Sequence, residues 1–145
     1  HIIGPNGQRE VPVDDFFQLD GITRNVLEQG EFIVKVTFPE GVENRIGSYK
    51  KLRVRESWDF PEAGVASSWI VGDSSSLRIA STALESIPRS HQSEVDSFEE
   101  AFSSDLINPL SEVIMKSIKP VNNTALPPRY RRNMIKVLVK RACEE

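Results

Sequence analysis

An α+β fold, with an antiparallel sheet of three to four strands packed on three C-terminal helices, is predicted by two features of this sequence. Apolar residues recur at every second position in segments between residues 31 and 83, and near every fourth position after Pro88. Strands therefore come first and helices last, which suits a layered α+β sandwich and not alternating βαβ units on a parallel sheet. A chain of 145 residues is one domain's worth and long enough to bury a core.

Each element follows from its local pattern. Ile2-Ile3, a turn at Gly4-Pro5-Asn6-Gly7, and Glu10-Val11-Pro12-Val13 read as a short hairpin, the Asn-Gly pair supplying a positive φ. A polar connection then runs from Asp14-Asp15-Phe16-Phe17 through Gly21 to Gly30. Residues 31–38 alternate, with Phe32, Val34, Val36 and Phe38 on one face and Ile33, Lys35 and Thr37 on the other, as in a half-buried strand. In residues 49–55, Leu52 and Val54 share the apolar side, and Tyr49, Lys51, Arg53 and Arg55 the opposite one. Residues 63–71 read as a third strand with Val65, Trp69 and Val71 at one parity. A turn at Gly72-Asp73-Ser74-Ser75 leads into a fourth strand from Leu77.

The helical half begins with Ser93 and Asp96, spaced as a capping box, and a Val95, Phe98, Phe102 stripe predicting a helix over 93–103. Asn108-Pro109 suits a helix start, because proline at the first position forfeits no hydrogen bond, and Leu110, Val113, Ile114 and Ile118 continue it over 109–118. After a break at 120–128, a last helix over 129–143 has Tyr130, Met134, Val137, Leu138 and Arg141 as its spine, flanked by Ile135, Val139 and Ala142. Trp69, Phe98, Phe102, Leu110, Ile114 and Leu138 are the expected core.

Composition narrows the function classes. A hydrophobic fraction of 39% argues for a globular chain, and a formal charge of −3 supplies no basic field for nucleic acid. The single Cys143 excludes an internal disulfide and a multi-cysteine metal site, fits a reducing compartment, and reads as a structural thiol. No apolar run approaches the roughly 20 residues of a membrane span, so a cytoplasmic location is expected. The opening His1-Ile2-Ile3-Gly4 has neither an initiator methionine nor a signal peptide, and reads as a segment entered mid-strand.

Catalytic chemistry is not evident. There is no GxGxxG or GxxxxGK[ST] loop to cradle a phosphate. Ser67-Ser68 and Ser74-Ser75-Ser76 lie near no plausible base, His1 sits at the terminus and His91 in a loop. Asp14-Asp15 and Glu99-Glu100 read as solvated or helix-end charges. Arg129, Arg131, Arg132, Lys136, Lys140 and Arg141 crowd the last helix, either as a charged outer face or as a docking face for a partner. By strand parity Lys51 and Ile33 both point away from the apolar side. If their strands are neighbours, they form either an ordinary solvated surface or a shelf for something planar and partly apolar.

The run Gly30-Glu31-Phe32-Ile33-Val34-Lys35-Val36-Thr37-Phe38-Pro39, then Tyr49-Lys50-Lys51, Arg55-Glu56-Ser57-Trp58-Asp59-Phe60 and Val65-Ala66, resembles the C-terminal domain of the FAD-binding (medium) subunit of molybdenum hydroxylases. This is the carbon monoxide dehydrogenase flavoprotein and xanthine dehydrogenase family. Tyr130-Arg131-Arg132 with Val137-Leu138-Val139-Lys140-Arg141-Ala142 is similar to the closing helix of that domain, and the resemblance covers nearly the whole chain.

The resemblance implies that residues 1–25 are the tail of a preceding FAD-binding lobe and a linker, and that 26–145 are the C-terminal domain. It implies an oxidoreductase in which a molybdenum cofactor and [2Fe-2S] clusters on partner subunits or domains feed electrons through FAD to an acceptor. By the same resemblance Phe32 and Ile33 lie against the flavin and Lys51 approaches its ring system, where a cation favours a developing negative charge. Phe32 falls at the core parity, so only Ile33 and Lys51 agree with the residue-level reading. The glycine-rich segments that hold the FAD pyrophosphate have no match here, and Pro61-Glu62-Ala63-Gly64 is more polar than the family pattern. The chain by itself is therefore expected to hold little FAD and to be inactive. The alternative is a non-catalytic interaction module docking through the Ile33/Lys51 face and the basic last helix.

Overall fold

Alternation in the first half and near-four periodicity in the second build two kinds of layer. The computed structural model describes residues 1–20, 22–56, 58–98 and 103–144. They form two compact units, His1–Glu43 and Asn44–Glu145.

The first unit is a small sheet in the order β2-β1-β3, with β1 at Ile2–Gly4, β2 at Gly7–Arg9 and β3 at Phe32–Ile33, both pairings antiparallel. The hairpin turns as expected, although glycine alone takes the unusual torsion, with Gly7 at φ 111. Glu31 anchors the unit. Arg9 forks onto it through Nε–Oε1 and Nη2–Oε2 contacts of 2.8 and 2.7 Å, and donates to the Val26 carbonyl at 2.6 Å. The Arg9 hydrogen bond holds the Glu31 carboxyl at about 2. A Cβ at Gly4 would lie 2.6 Å from the Glu31 side chain, so only glycine fits there. A four-residue helix, α1 (Val13–Phe16), follows the hairpin.

The half-buried strand expected over 31–38 is not found. Only Phe32 and Ile33 are paired as a strand, and Phe32, Val34, Val36 and Phe38 are 59%, 51%, 73% and 69% exposed. Alternation sets which side chains share a face, and a three-residue partner strand cannot cover five apolar ones. The compact division also lies later in the chain than a 25/26 boundary, because β3 pairs back onto Ile2 and Ile3.

The second unit is the α+β layer pair expected from the sequence. Four antiparallel strands run in the order β4-β5-β6-β7: Arg45–Leu52, Ala63–Ile70, Asp73–Thr82 and Arg89–Ser90. Three helices follow, α2 at Gln92–Asp96, α3 at Ser104–Ser117 and α4 at Pro128–Cys143. Ala63, Val65, Leu77 and Ile79 point from the sheet at Leu110, Ile114, Ile118, Ile135, Leu138, Val139 and Ala142 from the helices. Trp69 and Phe98 pack against this core only partly buried, and Phe102 lies outside the described residues.

Several boundaries depart from expectation for identifiable reasons. The turn between β5 and β6 is only Val71-Gly72, with Gly72 at φ 82, so β6 starts before Leu77 and Val71 is left 69% exposed. Val54 does not continue β4 inward and is 56% exposed, because the Asp59 carboxylate captures the Val54 and Arg55 amides and draws the chain off the sheet. Ser93 sits inside α2 and bonds Glu94, so His91 and not Ser93 is the N-cap, and no capping box forms. Helix α3 begins before Pro109, since Ile107, Leu110, Ser111, Ile114 and Ile118 make one buried stripe whose packing outweighs the bond that proline forgoes.

The buried stripe of α4 is Arg131, Ile135, Leu138, Val139 and Ala142, so Tyr130 and Arg141 fall outside it, with Tyr130 46% exposed. Nor is the whole basic set an outer face, for Arg131 is 0% exposed.

Candidate functional site

The sheet face opposite the helices carries Tyr49 and Lys51 on β4 and Arg78 on β6, all exposed. Lys51 stands opposite Gly64 in the β4–β5 register, and Gly64 opposite Thr82 in the β5–β6 register. A Cβ at Gly64 would come within 2.5 Å of the Tyr49 hydroxyl and 2.6 Å of Thr82 Oγ1, so the missing side chain lets the tyrosine lie across β5. The parity reading of Lys51 therefore holds: it projects away from the side that Leu52 presents to the core.

Beyond β4 the chain turns through residues 53–60 before Glu62 re-enters the core. Asp59 organises this turn, its carboxylate accepting from the amides of Val54, Arg55 and Phe60 at 3.2, 2.8 and 3.0 Å. Arg55 adds an ion pair at 2.8 Å, and its hydrogen bond holds the Asp59 carboxyl well below the usual carboxylate range. Lys51 Nζ donates to the Asp59 carbonyl at 3.2 Å, which couples the lysine to the turn.

Phe32 and Ile33 belong to β3 of the first unit, and Lys51 to β4 of the second, so the three do not share a sheet. Phe32 and Ile33 are 59% and 48% exposed, and the inward parity read for Phe32 does not translate into burial. Phe32 pairs with Ile3 and Ile33 with Ile2, on a strand that forms one edge of its sheet.

Three buried polar groups escaped sequence reasoning. Arg131 donates to the carbonyls of Glu62 and Val121 at 2.7 Å each and to that of Ala83, which joins β5, the end of β6 and the loop before α4. Ala83 itself stands at φ 65. Next, Ser81 Oγ lies 2.8 Å from His91 Nε2, with Glu94 Oε1 3.6 Å from Nδ1. This order suggests a nucleophile, a base and an orienting carboxylate, yet Ser81 and His91 are 2% and 0% exposed, so no substrate reaches them. Burial lowers the His91 pKa, and the neutral ring is a structural clasp between β6 and α2. Burial likewise pushes the Cys143 thiol up to about 11, which fits the inert role expected for it. Among the described residues no group of His, Cys, Asp or Glu could hold a metal ion, and no helix is long and apolar enough to cross a membrane.

The exposed chemistry is thus a cation, a tyrosine and apolar faces, with no accessible nucleophile–base pair among the bonds described. Such a set can hold a planar group and bias its charge. It cannot by itself grip a pyrophosphate, for which the sequence has no glycine-rich loop.

The architecture is that of the C-terminal domain of the FAD-binding subunit of molybdenum hydroxylases. More particularly, the chain is a homologue of the carbon monoxide dehydrogenase medium chain. It is 38% identical to that chain from Hydrogenophaga pseudoflava over 63 residues, which is 43% of this chain and 21% of the relative. A structure of carbon monoxide dehydrogenase from the same organism, lacking the molybdenum-pyranopterin moiety of the molybdenum cofactor, matches 99% of this chain at a TM-score of 0.81 and 26% identity. Reconstituted CO dehydrogenase from Oligotropha carboxidovorans matches 99% of it at 0.80 and 21%, and quinoline 2-oxidoreductase from Pseudomonas putida 86 matches 97% at 0.75 and 17%. At those lower identities the likeness is one of fold. The chain spans about half the length of the solved chains it matches (50% and 49%). No family model matches it.

Proposed function

We propose that this chain is the C-terminal part of the FAD-binding subunit of a molybdenum hydroxylase-type oxidoreductase, and that it completes a flavin site held mainly elsewhere in the parent. The observation that carries this reading is the match to the carbon monoxide dehydrogenase medium chain in sequence, together with a fold match over 99% of the chain. Residues 1–25 are then the tail of the FAD-binding lobe, and 26–145 the C-terminal domain. The parent takes electrons from iron–sulfur clusters, fed by a molybdenum centre on partner subunits or domains, and passes them to an acceptor. The catalytic role belongs to that assembly.

The exposed residues suit such a site. Bound FAD would supply reversible electron uptake and release. Phe32 and Ile33 would offer an apolar wall against its ring system. Lys51 would hold a positive charge toward it, oriented by the hydrogen bond to the Asp59 carbonyl and framed by Tyr49. A fixed cation favours charge that develops nearby in a partly dry site.

The test is Lys51→Ala in the full-length parent, read by FAD content and stopped-flow flavin kinetics. Flavin reduction or reoxidation should slow by about one to two decades, on the order of 1–3 kcal/mol, with FAD retained. Lys50→Ala, at the opposite parity, and Arg45→Ala should matter less. Rates equal to wild type in Lys51→Ala would remove Lys51 from the site. A full-length parent without FAD would remove the reading itself.

A further inference from the structure

The largest exposed side chain lies where the fold has no need of it. In the turn between β4 and β5, Trp58 is 96% exposed and Phe60 86% exposed, with Val54 beside them at 56%. Exposed aromatics on a slack loop would carry little information, but this turn is braced. Asp59, the residue between the two rings, accepts three backbone amides and the Arg55 guanidinium, and its own carbonyl takes the Lys51 ammonium. The rings are thus held outward before any partner arrives, which lowers the ordering cost of binding. The turn is convex, so it fits a pocket on a macromolecule better than it could enclose a small ligand. Lys51, Arg53 and Arg55 are all exposed around it, and an acidic rim is their complement.

Area decides among macromolecules. Two such rings bury about 150–250 Å² each, well short of the ~1,000 Å² that a lasting interface between free partners needs. A tethered partner needs far less, because a linker holds it at an effective concentration on the order of millimolar. The chain covers 50% of its solved relatives, so the proposed parent carries a comparable length of polypeptide on the same backbone. We propose that the Asp59-braced turn is an intramolecular docking surface, whose Trp58 and Phe60 rings seat in an acid-rimmed apolar pocket on the part of the parent polypeptide outside this chain. This rests on the reading of the chain as part of a larger flavoprotein, and it requires nothing of the flavin.

Hydroxyl-radical footprinting with residue-level mass spectrometry tests it. Trp58 and Phe60 should oxidise fast in the isolated chain and about tenfold more slowly in the full-length parent alone, as expected for a docked-to-open ratio of about ten. Trp58→Ala with Phe60→Ala should leave the circular dichroism of the isolated chain unchanged. In the parent it should speed tryptic cleavage between the two halves by about tenfold. Asp59→Ala, which keeps the rings and removes the brace, should give a smaller acceleration. Equal oxidation in the chain and the parent would overturn the proposal. So would protection that arises only when separately purified subunits are added, which would assign the turn to another polypeptide. Protection only on vesicles of anionic phospholipid would also overturn it. FAD content measured on the same sample separates the two readings: a protected turn in a flavin-free parent sinks the flavin assignment and leaves the docking surface standing, and an unprotected turn in a flavin-loaded parent does the reverse.

Discussion

Arg131→Met is the sharpest test of how the second unit is held together. The guanidinium is wholly buried and donates to three carbonyls, of Glu62, Val121 and Ala83, while the Glu62 carboxylate lies 3.7 Å from its Nε. Methionine preserves most of the apolar stem and removes every donor. Each stranded buried acceptor costs about 1–3 kcal/mol, and breaking a buried pair costs about 3–5 kcal/mol, without simple addition because the loops relax toward water. A loss of about 3–5 kcal/mol is therefore expected, a large share of the ~5–15 kcal/mol that stabilises a typical domain. Arg131→Lys keeps the charge but not the planar fork, and should lose about 2–3 kcal/mol, because one ammonium cannot reach three separated carbonyls. Urea unfolding of the isolated chain, followed by circular dichroism, gives both values. A methionine variant within about 1 kcal/mol of wild type would refute the account of Arg131 as the fastener of β5, β6 and the loop before α4.

Trp69 packs against the core only in part, so Trp69→Ala should cost about 2–3 kcal/mol, below the ~3–5 kcal/mol of full burial; a loss under about 1 kcal/mol would place its ring outside the core. Acid should unfold the second unit through the cluster joining β6, β7 and α2. Burial lowers the His91 pKa, and although burial acts to raise that of Glu94, hydrogen bonds from Ser117 and Ser93 hold it at about 2. Both folded-state values lie below the unfolded ones, so both contributions are present near neutrality. His91's is lost as pH falls below about 6.5 and that of Glu94 as pH falls from about 4.5 toward 2. Glu94→Gln should flatten the lower limb of a stability–pH curve, and an unchanged slope below about pH 4.5 would remove Glu94 from it.

What the sequence made legible is what periodicity encodes. The strand-then-helix order, the antiparallel meander and the last helix all follow from apolar spacing, and the spacing is enforced by one core that Leu110, Ile114 and Leu138 enter from the helices. Lys51 was legible for the same reason, since a strand offers a side chain only two directions and Leu52 takes the inner one. Periodicity says nothing of whether a partner layer exists, and this is why Phe32, Val34, Val36 and Phe38 have the pattern of a half-buried strand and the exposure of an uncovered edge.

Polar burial was illegible for a different reason. Arg131 carries the same letter as the exposed Arg141, and what separates them is the stripe rule: Arg131 stands four residues before Ile135, itself four before Val139, on the buried side of α4. That spacing, taken seriously for a charged residue, would have raised the question of which carbonyls it satisfies. The same question exposes the logic of the 53–60 turn. A buried arginine and carboxylate are explained by the bonds they make within the fold, as Arg131 and Glu94 are. Trp58 and Phe60 make none of the fold's packing, and Asp59 uses its carboxylate to keep them where they are. When a bonded scaffold is arranged to present apolar surface instead of hiding it, the missing half of the contact lies outside the scaffold.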